Sequence, residues 1–406
     1  MSTQKRVVGI ALITAAAVIG DSMLFIVLPL YWESFGLTAL WQIGLLLSIN
    51  RFIRLPINPL VGLFYKHYSL RTGVFIAVVL ALMTTMSYGV LQHFWLLLIM
   101  RALWGVAWSL LRLGGLLTVI DVTTEKNRGN YVGLYNGLWG IGGLIGMLAG
   151  GFLVEQTSIF IVTSLFAVIG FATIPAVWLL IPVTKREKHM KKTDGVNEVK
   201  WLSSYLVMIL VTGAAVGFIV FGLFASTLSP LIERAFPGEW TLFHLTIGAA
   251  TLAGMIQAIR WGWEPFLAPV VGKILDSAGS KFNVLYIPLF GGGLLLILLG
   301  TIQAISLLIG ILLLFQIVTT IFVTTTDTLA TRAASQSDSV KVMTAHTVVV
   351  DVGAAIGPFT SFLFLENYSL TVVYIISGAL LLLLGMVWLG FNRYSLGARL
   401  ENEPSS

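Results

Sequence analysis

The sequence has no cysteine and few charged residues. Without cysteine the chain can form no disulfide and no thiolate metal site, and it offers no cysteine nucleophile. Charged residues make up 10% of the 406 positions, whereas an ordinary soluble chain carries about 25%. The hydrophobic fraction is 57% and the mean hydropathy is +0.94 over the whole length. These values exclude a soluble fold and a globular domain held by a single anchor, so most of the chain must lie in lipid.

Long apolar runs predict an all-α membrane protein with twelve transmembrane helices. A helix needs about 20 apolar residues, each rising about 1.5 Å, to cross the hydrocarbon. The first run continues through Asp21 and is longer than the apolar region of a cleaved signal peptide. The predicted spans are 7–31, 40–65, 73–91, 94–120, 131–153, 158–182, 201–232, 242–274, 282–302, 306–331, 343–365 and 369–391.

The basic residues predict the orientation of these spans. Lysine and arginine collect on the cytoplasmic side of membrane proteins. With the N-terminus inside, nearly all loop lysines and arginines become cytoplasmic, and Arg234 falls on the opposite side. The net charge of +6 therefore reflects the orientation of the spans in the membrane, and we expect no nucleic acid as a partner. We expect a multi-pass protein of the cell (plasma) membrane, in a prokaryote the inner or cytoplasmic membrane, with both termini inside.

The chain divides at a basic segment in its middle. We predict an N-terminal six-helix bundle at 1–182, a cytoplasmic linker at 183–200, a C-terminal six-helix bundle at 201–393 and a tail at 394–406. A related motif follows the second helix of each half, from Pro59 to Arg71 and from Pro269 to Lys281. Repeated hydropathy with a repeated loop motif indicates two pseudo-symmetric bundles, the layout of a transporter that works by alternating access.

These motifs resemble those of the major facilitator superfamily, and the resemblance covers the whole chain. The family's loop motif between helices 2 and 3 fits the second copy, whereas Lys66 and Ser69 replace its Asp and second Gly in the first. Arg101 with Gly105 resembles a motif associated with proton coupling. Helix 5 is similar to the antiporter motif, except that Met147 replaces its proline. The residues predicted on this basis to serve the conformational change are Gly62, Arg71, Gly272, Asp276, Gly279, Lys281, Gly146, Gly150, Gly357 and Pro358.

The resemblance implies a secondary transporter that is not an enzyme. It would move a small-molecule substrate across the lipid bilayer, with protons as the coupling ion, no cofactor and no bound metal, and it would be monomeric. The glycines also have a simpler interpretation, because small residues at every fourth position let helices pack closely.

Polar residues inside the spans are candidates for a substrate site, since a charge in the membrane costs a few kcal/mol. Asn50, Arg54 and Asn58 recur every four residues and share one face of helix 2. Guanidinium groups suit bidentate binding of an oxyanion, although these arginines could instead pair with Asp21. Tryptophans can stack on a flat or cationic substrate. The predicted substrate-binding residues are Arg51, Arg54, Asn50, Asn58, Trp104, Trp108, Arg260 and Trp263.

Buried carboxylates are candidates for proton coupling. Glu264 lies four residues after Arg260 and could alternate between pairing with that arginine and binding a proton. The predicted proton-coupling residues are Asp21, Arg101, Glu264 and Asp351. Three other residues are expected to be ordinary: Arg112 paired with Asp121 or Glu125, Asp327 structural, and His346 solvated near a helix end.

Three functions remain open at this point. The first is proton-coupled export of a small organic solute (multidrug or metabolite efflux), because Asp21, Leu28-Pro29 and the Arg101 motif resemble the twelve-helix drug/proton antiporters. The second is uptake or exchange of an anion bound by the membrane arginines, as in the nitrate porters. The third, a multispan enzyme acting on lipids, is remote because no cluster of metal ligands or nucleophiles is present.

Overall fold

The computed structural model describes residues 3–123, 128–181, 203–242, 245–277, 281–335 and 339–400. Helices dominate these ranges, and each predicted span corresponds to one helix or to consecutive helical segments. In the first half they are α1 (Thr3–Leu30), α2 (Leu40–His67), α3 (Leu70–Val90), α4 (Phe94–Val122), α5 (Arg128–Gln156), α6 (Ile159–Phe171) and α7 (Ile174–Leu180). In the second half they are α8 (Ser204–Val216), α9 (Ala225–Ala235), α10 (Ala249–Ser277), α11 (Lys281–Tyr286), α12 (Gly292–Thr301), α13 (Ile305–Ser335), α14 (Ser339–Leu365) and α15 (Leu370–Leu400).

Two π-helical segments join shorter helices into full spans. Gly217–Phe224 connects α8 to α9, and Ile287–Gly291 connects α11 to α12. Within the described ranges, ten helical segments are long and apolar enough to cross a membrane. The helices α2 and α10 have 28 and 29 residues and are also long enough, since about 20 residues suffice. They are less apolar because they carry the polar residues of the predicted substrate site.

The start of the eighth span differs from the prediction. A short antiparallel hairpin, β1 (Trp240–Leu242) and β2 (Leu245–Ile247), precedes α10, with Trp240 opposite Ile247. The helix therefore begins at Ala249 and not at 242. The apolar residues of this hairpin have the same hydropathy as a helix end, which is why composition alone placed them in the span.

Local sequence signals fix several helix ends. Ser69, Ser158 and Ser203 are N-cap residues whose hydroxyls accept hydrogen bonds from backbone N–H groups at 3.2–3.3 Å. Between α1 and α2 a 3₁₀ turn, Trp32–Phe35, ends at Gly36 with φ of 70°. A side chain at Gly36 would also meet the backbone of Gln92, so glycine is required there.

The chain forms two compact units. Unit 1 comprises Met1–Lys192, Phe224–Trp261 and Pro358–Glu366, and unit 2 comprises Thr193–Leu223, Gly262–Gly357 and Asn367–Ser406. Unit 1 thus includes the N-terminal helices together with two segments from the second half of the sequence. The predicted linker at 183–200 lies outside the described residues, and the predicted bundle boundaries stay predictions.

In unit 1, α1 and α5 approach closely through glycines. A Cβ added at Gly142 would overlap the Ala15 carbonyl oxygen, and one at Gly146 would overlap that of Ile19. The next glycine of the series, Gly150, faces Met23. Each step of four residues along α5 matches a step of four along α1, so the two helices run parallel with their backbones in contact. The glycine stripe of helix 5 is therefore a packing surface.

Unit 2 repeats this arrangement with α8 and α14. A Cβ at Gly353 would overlap the Ala214 carbonyl oxygen, and one at Gly357 would lie 2.6 Å from that of Phe218. The steps of four residues again match, so the first and fifth spans of each half of the sequence pack in the same parallel way. This correspondence supports the duplication that the loop motif indicated.

We expect a methyl group at Gly146 to destabilise the protein. Gly146→Ala places a Cβ against the α1 backbone, and overpacking of this kind costs about 1–3 kcal/mol. The matched control is Gly137→Ala in the same helix, where nothing lies within 4 Å of the added Cβ and helix propensity favours alanine by up to about 1 kcal/mol. Thermal unfolding in detergent, followed by circular dichroism, measures both. Equal melting temperatures for the two variants would contradict the close packing.

Candidate functional site

A buried ion pair between Asp21 and Arg101 lies at the centre of unit 1. Arg101 Nη1 donates a short hydrogen bond to Asp21 Oδ1, which joins α4 to α1. Arg101 Nε donates to the Leu46 carbonyl oxygen on α2 at 2.9 Å. The Arg101 side chain is 1% exposed and that of Asp21 is 13% exposed. One guanidinium thus connects three helices, and Asp21 pairs with Arg101.

Gly105 explains how Arg101 reaches α2. A Cβ at Gly105 would lie 2.5 Å from the Asn50 carbonyl oxygen, so only glycine lets α4 approach α2 this closely. Gly105 lies four residues after Arg101 on α4, and Asn50 lies four residues after Leu46 on α2. Both contacts therefore lie on the same face of each helix. In the Arg101-Gly105 motif, the glycine therefore allows the close approach of α4 to α2 that Arg101 needs to reach its acceptor.

Tyr88 completes the surroundings of the pair. Its hydroxyl lies 3.5 Å from Arg101 Nη1, and the guanidinium carbon lies 5.9 Å from the centre of its ring. Tyr88 is 2% exposed, yet it also lines a cavity of about 310 Å³ together with Tyr31, Ser34 and Gln92. An open space therefore comes within one side chain of the Asp21–Arg101 pair.

The predicted polar stripe of α2 runs from the interior to the surface of unit 1. Asn50 is buried, Arg51 and Arg54 are half-buried, and Asn58 is exposed. The Asn50 side-chain oxygen has no hydrogen-bond partner among the described residues. The helix continues through Pro56 and Pro59 to His67. Substrate contact by these four residues stays a prediction.

The tryptophans of α4 belong to an aromatic cluster. Trp104 is buried, and its ring centre lies 6.3 Å from that of Trp108, which in turn meets Trp139 at 5.0 Å. Arg112 lies over the Trp139 ring at 5.5 Å and donates to Asn136 Oδ1 at 2.7 Å.

The structure gives Arg112 a partner that was not expected, and Glu125, one of the two expected partners, lies outside the described residues. The pairing was expected with Asp121 or Glu125 on the grounds of sequence distance. Asn136 on the neighbouring α5 offers the acceptor, and aromatic faces attract the guanidinium.

The remaining predicted residues lie on α10 and α14. Arg260 is 5% exposed and belongs to unit 1, whereas Trp263, Glu264 and Asp351 are half-buried and belong to unit 2. The Trp263 indole nitrogen is buried and has no hydrogen-bond acceptor among the residues described. The pairing of Arg260 with Glu264 stays a prediction.

The loop motifs differ between the two copies. In the first, Arg71 Nε donates to the Ile181 carbonyl oxygen at 2.9 Å and its guanidinium lies 5.7 Å from the centre of the Trp178 ring. Arg71 therefore ties α3 to the end of α7, whose last carbonyls lack helical partners. In the second copy Gly279 lies outside the described residues, as do the side chains of Asp276 and Lys281. A Cβ at Gly62 or Gly272 would meet nothing within 4 Å.

A carboxylate that the sequence did not single out caps α10. Glu155, at the end of α5, accepts hydrogen bonds from the backbone N–H groups of Gly248, Ala250 and Thr251 at 2.8–3.1 Å. It also accepts a short hydrogen bond from the Thr251 hydroxyl. A carboxylate at a helix N-terminus is favourable because it meets unpaired N–H groups and the positive end of the helix dipole.

Neighbouring residues strengthen this contact, which we term the α5–α10 clasp. Gln156 accepts from the backbone N–H of Thr246 in β2 at 3.0 Å and donates to its carbonyl oxygen. A Cβ at Gly254 would lie 2.7 Å from the Met147 carbonyl oxygen. No sequence signal predicted the clasp, because Glu155 falls just after the predicted span and its partners are more than 90 residues away.

The clasp borders a polar cavity of about 520 Å³ on the predicted outer side. Its lining includes Tyr31 and the charged residues Glu155, Glu233, Arg234 and Glu239. Burial, together with the charges of Glu155, Glu239 and Glu233, raises the pKa of Tyr31 to about 12. Tyr31 therefore keeps its hydroxyl proton at physiological pH.

A second pair missed by the sequence lies in unit 2. His346 Nε2 lies 3.0 Å from Asp327 Oδ1, and His346 is 3% exposed. The expectation of a solvated histidine was wrong, because position 346 lies inside α14 and faces α8 and α13. Within the described residues, no group of three or more His, Asp or Glu side chains could hold a metal ion.

Comparison with known proteins places the chain in a family. A family model described as the Major Facilitator Superfamily matches residues 10–264, more than half of the chain. The chain belongs to the major facilitator superfamily. This major facilitator protein is similar to the multidrug resistance protein MdtG of Escherichia coli, with 26% identity over 383 residues that cover 87% of this chain and 86% of the relative.

Solved structures share its fold. A bacterial homolog of the human lysosomal transporter Spinster, in an inward-facing and occupied conformation, has a TM-score of 0.72 and 15% identity, covering 97% of this chain and 96% of that chain. A variant of the peptide transporter POT in complex with alafosfalin has a TM-score of 0.74 and 11% identity, covering 97% and 95%. At these identities the likeness concerns the fold.

The chain is therefore a multi-pass membrane protein and a major facilitator secondary transporter for a small molecule. The predicted all-α fold in the major facilitator class is confirmed. The family consists of transporters, so the alternative of a lipid-modifying enzyme is not retained.

We expect the Asp21–Arg101 pair to show strong energetic coupling in this major facilitator protein. Arg101→Gln leaves a buried carboxylate unpaired, which costs about 3–5 kcal/mol, and Asp21→Asn leaves the guanidinium unpaired. The double variant removes both charges and should recover much of the loss. Unfolding in mixed detergent micelles measures the double-mutant cycle, with Arg393→Gln as a control at an exposed arginine. Additive losses in the double variant would show that the two side chains do not interact.

Proposed function

We propose that this protein exports a small organic solute across the plasma membrane in exchange for protons. The observation that carries the proposal is the buried Asp21–Arg101 pair, which joins α1, α2 and α4. An ionisable residue inside the membrane is costly and is by default a functional candidate. Similarity to MdtG, described as a multidrug resistance protein, over 87% of the chain supports export.

The coupling step is a competition for the Asp21 carboxylate. When Asp21 is ionised it holds Arg101, and the guanidinium bridges α1 to α4 and α2. A proton on Asp21 removes the charge that holds Arg101 and so weakens the bridge between the helices. Proton binding thereby favours one conformation over the other, and solute binding favours the opposite one.

A route for the proton is supported by the cavity beside Tyr88. The cavity carries hydroxyl and amide groups of Tyr31, Ser34 and Gln92, which water can bridge. Tyr88 separates this cavity from Arg101 and lies within 3.5 Å of its guanidinium. In this proposal protons enter from the predicted outer side and reach Asp21 past the Tyr88 hydroxyl.

We propose that polar and aromatic residues of α2, α4, α10 and α14 contact the solute. Arg51, Arg54, Asn50 and Asn58 would supply charge and hydrogen bonds. The Trp104–Trp108 pair and Trp263 would supply flat apolar surfaces. Arg260, Glu264 and Asp351 would adjust the charge of the site.

The glycine contacts and the clasp would serve the conformational change. Parallel helices with their backbones in contact, α1 with α5 and α8 with α14, can shift against each other without side chains that interlock. Gly62, Gly272, Gly357 and Pro358 would act in the same change. The clasp at Glu155 would hold the outer ends of α5 and α10 together until the outer side opens.

The test is transport in proteoliposomes with an imposed pH gradient and a clamped membrane potential. Ethidium, glycylglycine and nitrate serve as cationic, zwitterionic and anionic probes. We expect gradient-dependent flux of an organic probe and a loss of at least about tenfold in Asp21→Asn, because a neutral amide cannot exchange a proton at this site. Glu33→Gln, an exposed carboxylate on the predicted outer side, is the matched control. If no probe responds to the gradient, or if Asp21→Asn responds as the wild type does, proton coupling is wrong.

An anionic solute is the second candidate, and the half-buried arginines of α2 favour it. Nitrate or another anion would then be transported, and Arg54→Gln would abolish that transport while ethidium remained inactive. Anion transport that survives in Arg54→Gln would rule this candidate out.

We expect Glu155→Gln to open the outer ends of α5 and α10. Glu155 now accepts hydrogen bonds from three backbone N–H groups. A glutamine has a similar shape, but it has one acceptor oxygen and no negative charge. The chain has no native cysteine, so the side chain introduced by Ser229→Cys is the single thiol of that variant. Ser229 is buried and bonds to the Ile26 carbonyl oxygen. Labelling by a membrane-impermeant maleimide should be several-fold faster in the Glu155→Gln background than in Glu33→Gln. Equal rates would contradict the proposal that the clasp holds the outer ends of α5 and α10 together.

A further inference from the structure

The Asp327–His346 pair in unit 2 has the features of a proton-binding site. His346 is 3% exposed and lies on α14, and Asp327 on α13 has a side chain that is 62% exposed. The two meet at 3.0 Å through Nε2 and Oδ1. An exposed carboxylate thus touches an imidazole that is itself enclosed by protein.

The other ring nitrogen, Nδ1, has no hydrogen-bond partner among the described residues. Asp327 accepts a hydrogen bond from Nε2–H, which makes Nδ1 of the neutral ring a free acceptor. A buried polar atom without a partner is destabilising. Nδ1 therefore has an unused acceptor site at which the ring can bind a proton.

Gly213 provides the space around this atom. A Cβ at Gly213 on α8 would lie 2.8 Å from His346 Nδ1 and from the neighbouring ring carbon. Any other residue at position 213 would press on the ring edge that carries Nδ1. The glycine thus permits the close packing of the His346 ring edge against α8.

A purely structural role would explain only half of the arrangement. Interhelical hydrogen bonds in membrane proteins contribute modestly to stability, and the Nε2 contact is one such bond. Such a role gives no reason for a titratable ring with an open acceptor, since a glutamine amide would supply the same donor to Asp327.

Among the described residues, few charged groups lie on the helices that surround His346. On α13 they are Asp327 and, five residues later, Arg332, which donates to the Leu275 carbonyl oxygen at 3.4 Å. The α8 surface facing His346 is Gly213, which has no titratable side chain. On α14 itself the nearest are Lys341 and Asp351, five residues to either side, which place them on other faces of the helix.

We propose that His346 is a second proton-carrying residue of the transport cycle and that Asp327 is its positioning residue. Nδ1 is buried in this structure, and in the proposed cycle the neutral ring takes a proton from water there when α8 and α14 separate, becoming an imidazolium. Nε2–H continues to donate to the Asp327 carboxylate, which balances the new charge. Release reverses the step at Nδ1, so one proton is bound and returned with no other bond changed. The proposal rests on the proposed proton coupling and adds a carrier in unit 2 to Asp21 in unit 1.

The first test needs no substrate. Protein labelled with [¹⁵N]histidine contains five histidines, and the His346 signals are those missing in His346→Gln. If that variant does not fold, replacing the other four histidines in turn assigns the signal. We expect the Nε2–H tautomer at high pH and an imidazolium at low pH. In Asp327→Asn the tautomer signal should change, because an amide replaces the carboxylate that accepts from Nε2–H. A ring that stays neutral between pH 5 and 9, or is unaffected by Asp327→Asn, would overturn the proposal.

The second test is ethidium flux in the same proteoliposomes. We expect His346→Gln to lose about tenfold of the gradient-driven flux while ethidium exchange without a gradient persists, because exchange requires no net proton movement. His93→Gln, an exposed histidine at the start of α4, is the matched control. Gradient-driven flux retained in His346→Gln, with the wild type active, overturns this proposal and leaves the proposed function standing. A wild type that ignores the gradient instead overturns proton coupling itself.

Discussion

The hydrocarbon of the bilayer offers no hydrogen-bond partners, and this constraint decides how each polar group in the chain is placed. In water an arginine can remain solvated, but in the membrane it must find its acceptors within the protein. Arg101 meets the requirement with the Asp21 carboxylate and the Leu46 carbonyl oxygen, and Arg112 meets it with Asn136 and two aromatic rings. Arg101 and Arg112 therefore tie neighbouring helices together.

Close backbone approach is the second consequence of the same environment. Lipid chains are as apolar as leucine, so helices gain little from burying large side chains and more from contact between backbones. The glycines of α5 and α14 bring two pairs of parallel helices into such contact, in steps of four residues. At Gly105 the same close backbone approach brings Arg101 within hydrogen-bond distance of α2. Glycine spacing and charge placement therefore act together.

Much of the architecture could be predicted from the sequence, because hydropathy reports directly on the membrane. The spans followed from the apolar runs, the duplication from two similar segments, and Asp21 and Arg101 were singled out as charges inside spans. The partners did not follow, since Asp21 and Arg101 are 80 residues apart and nothing local pairs them. Glu155 was missed because it lies beyond the end of a span, and His346 because it was treated as belonging to a helix end. The hairpin before α10 was missed because strand and helix residues there have similar hydropathy.

Arg71 shows what the degenerate loop motif retains. Its bond to the Ile181 carbonyl oxygen and its contact with Trp178 hold the final turn of α7 against α3, at the point where the chain leaves the first half of the sequence. The end of α7 is therefore anchored twice, through the helical bond from the Ile181 N–H to the Val177 carbonyl oxygen and through a side chain of α3. The position of this helix end thus depends on Arg71 as well as on α7 itself.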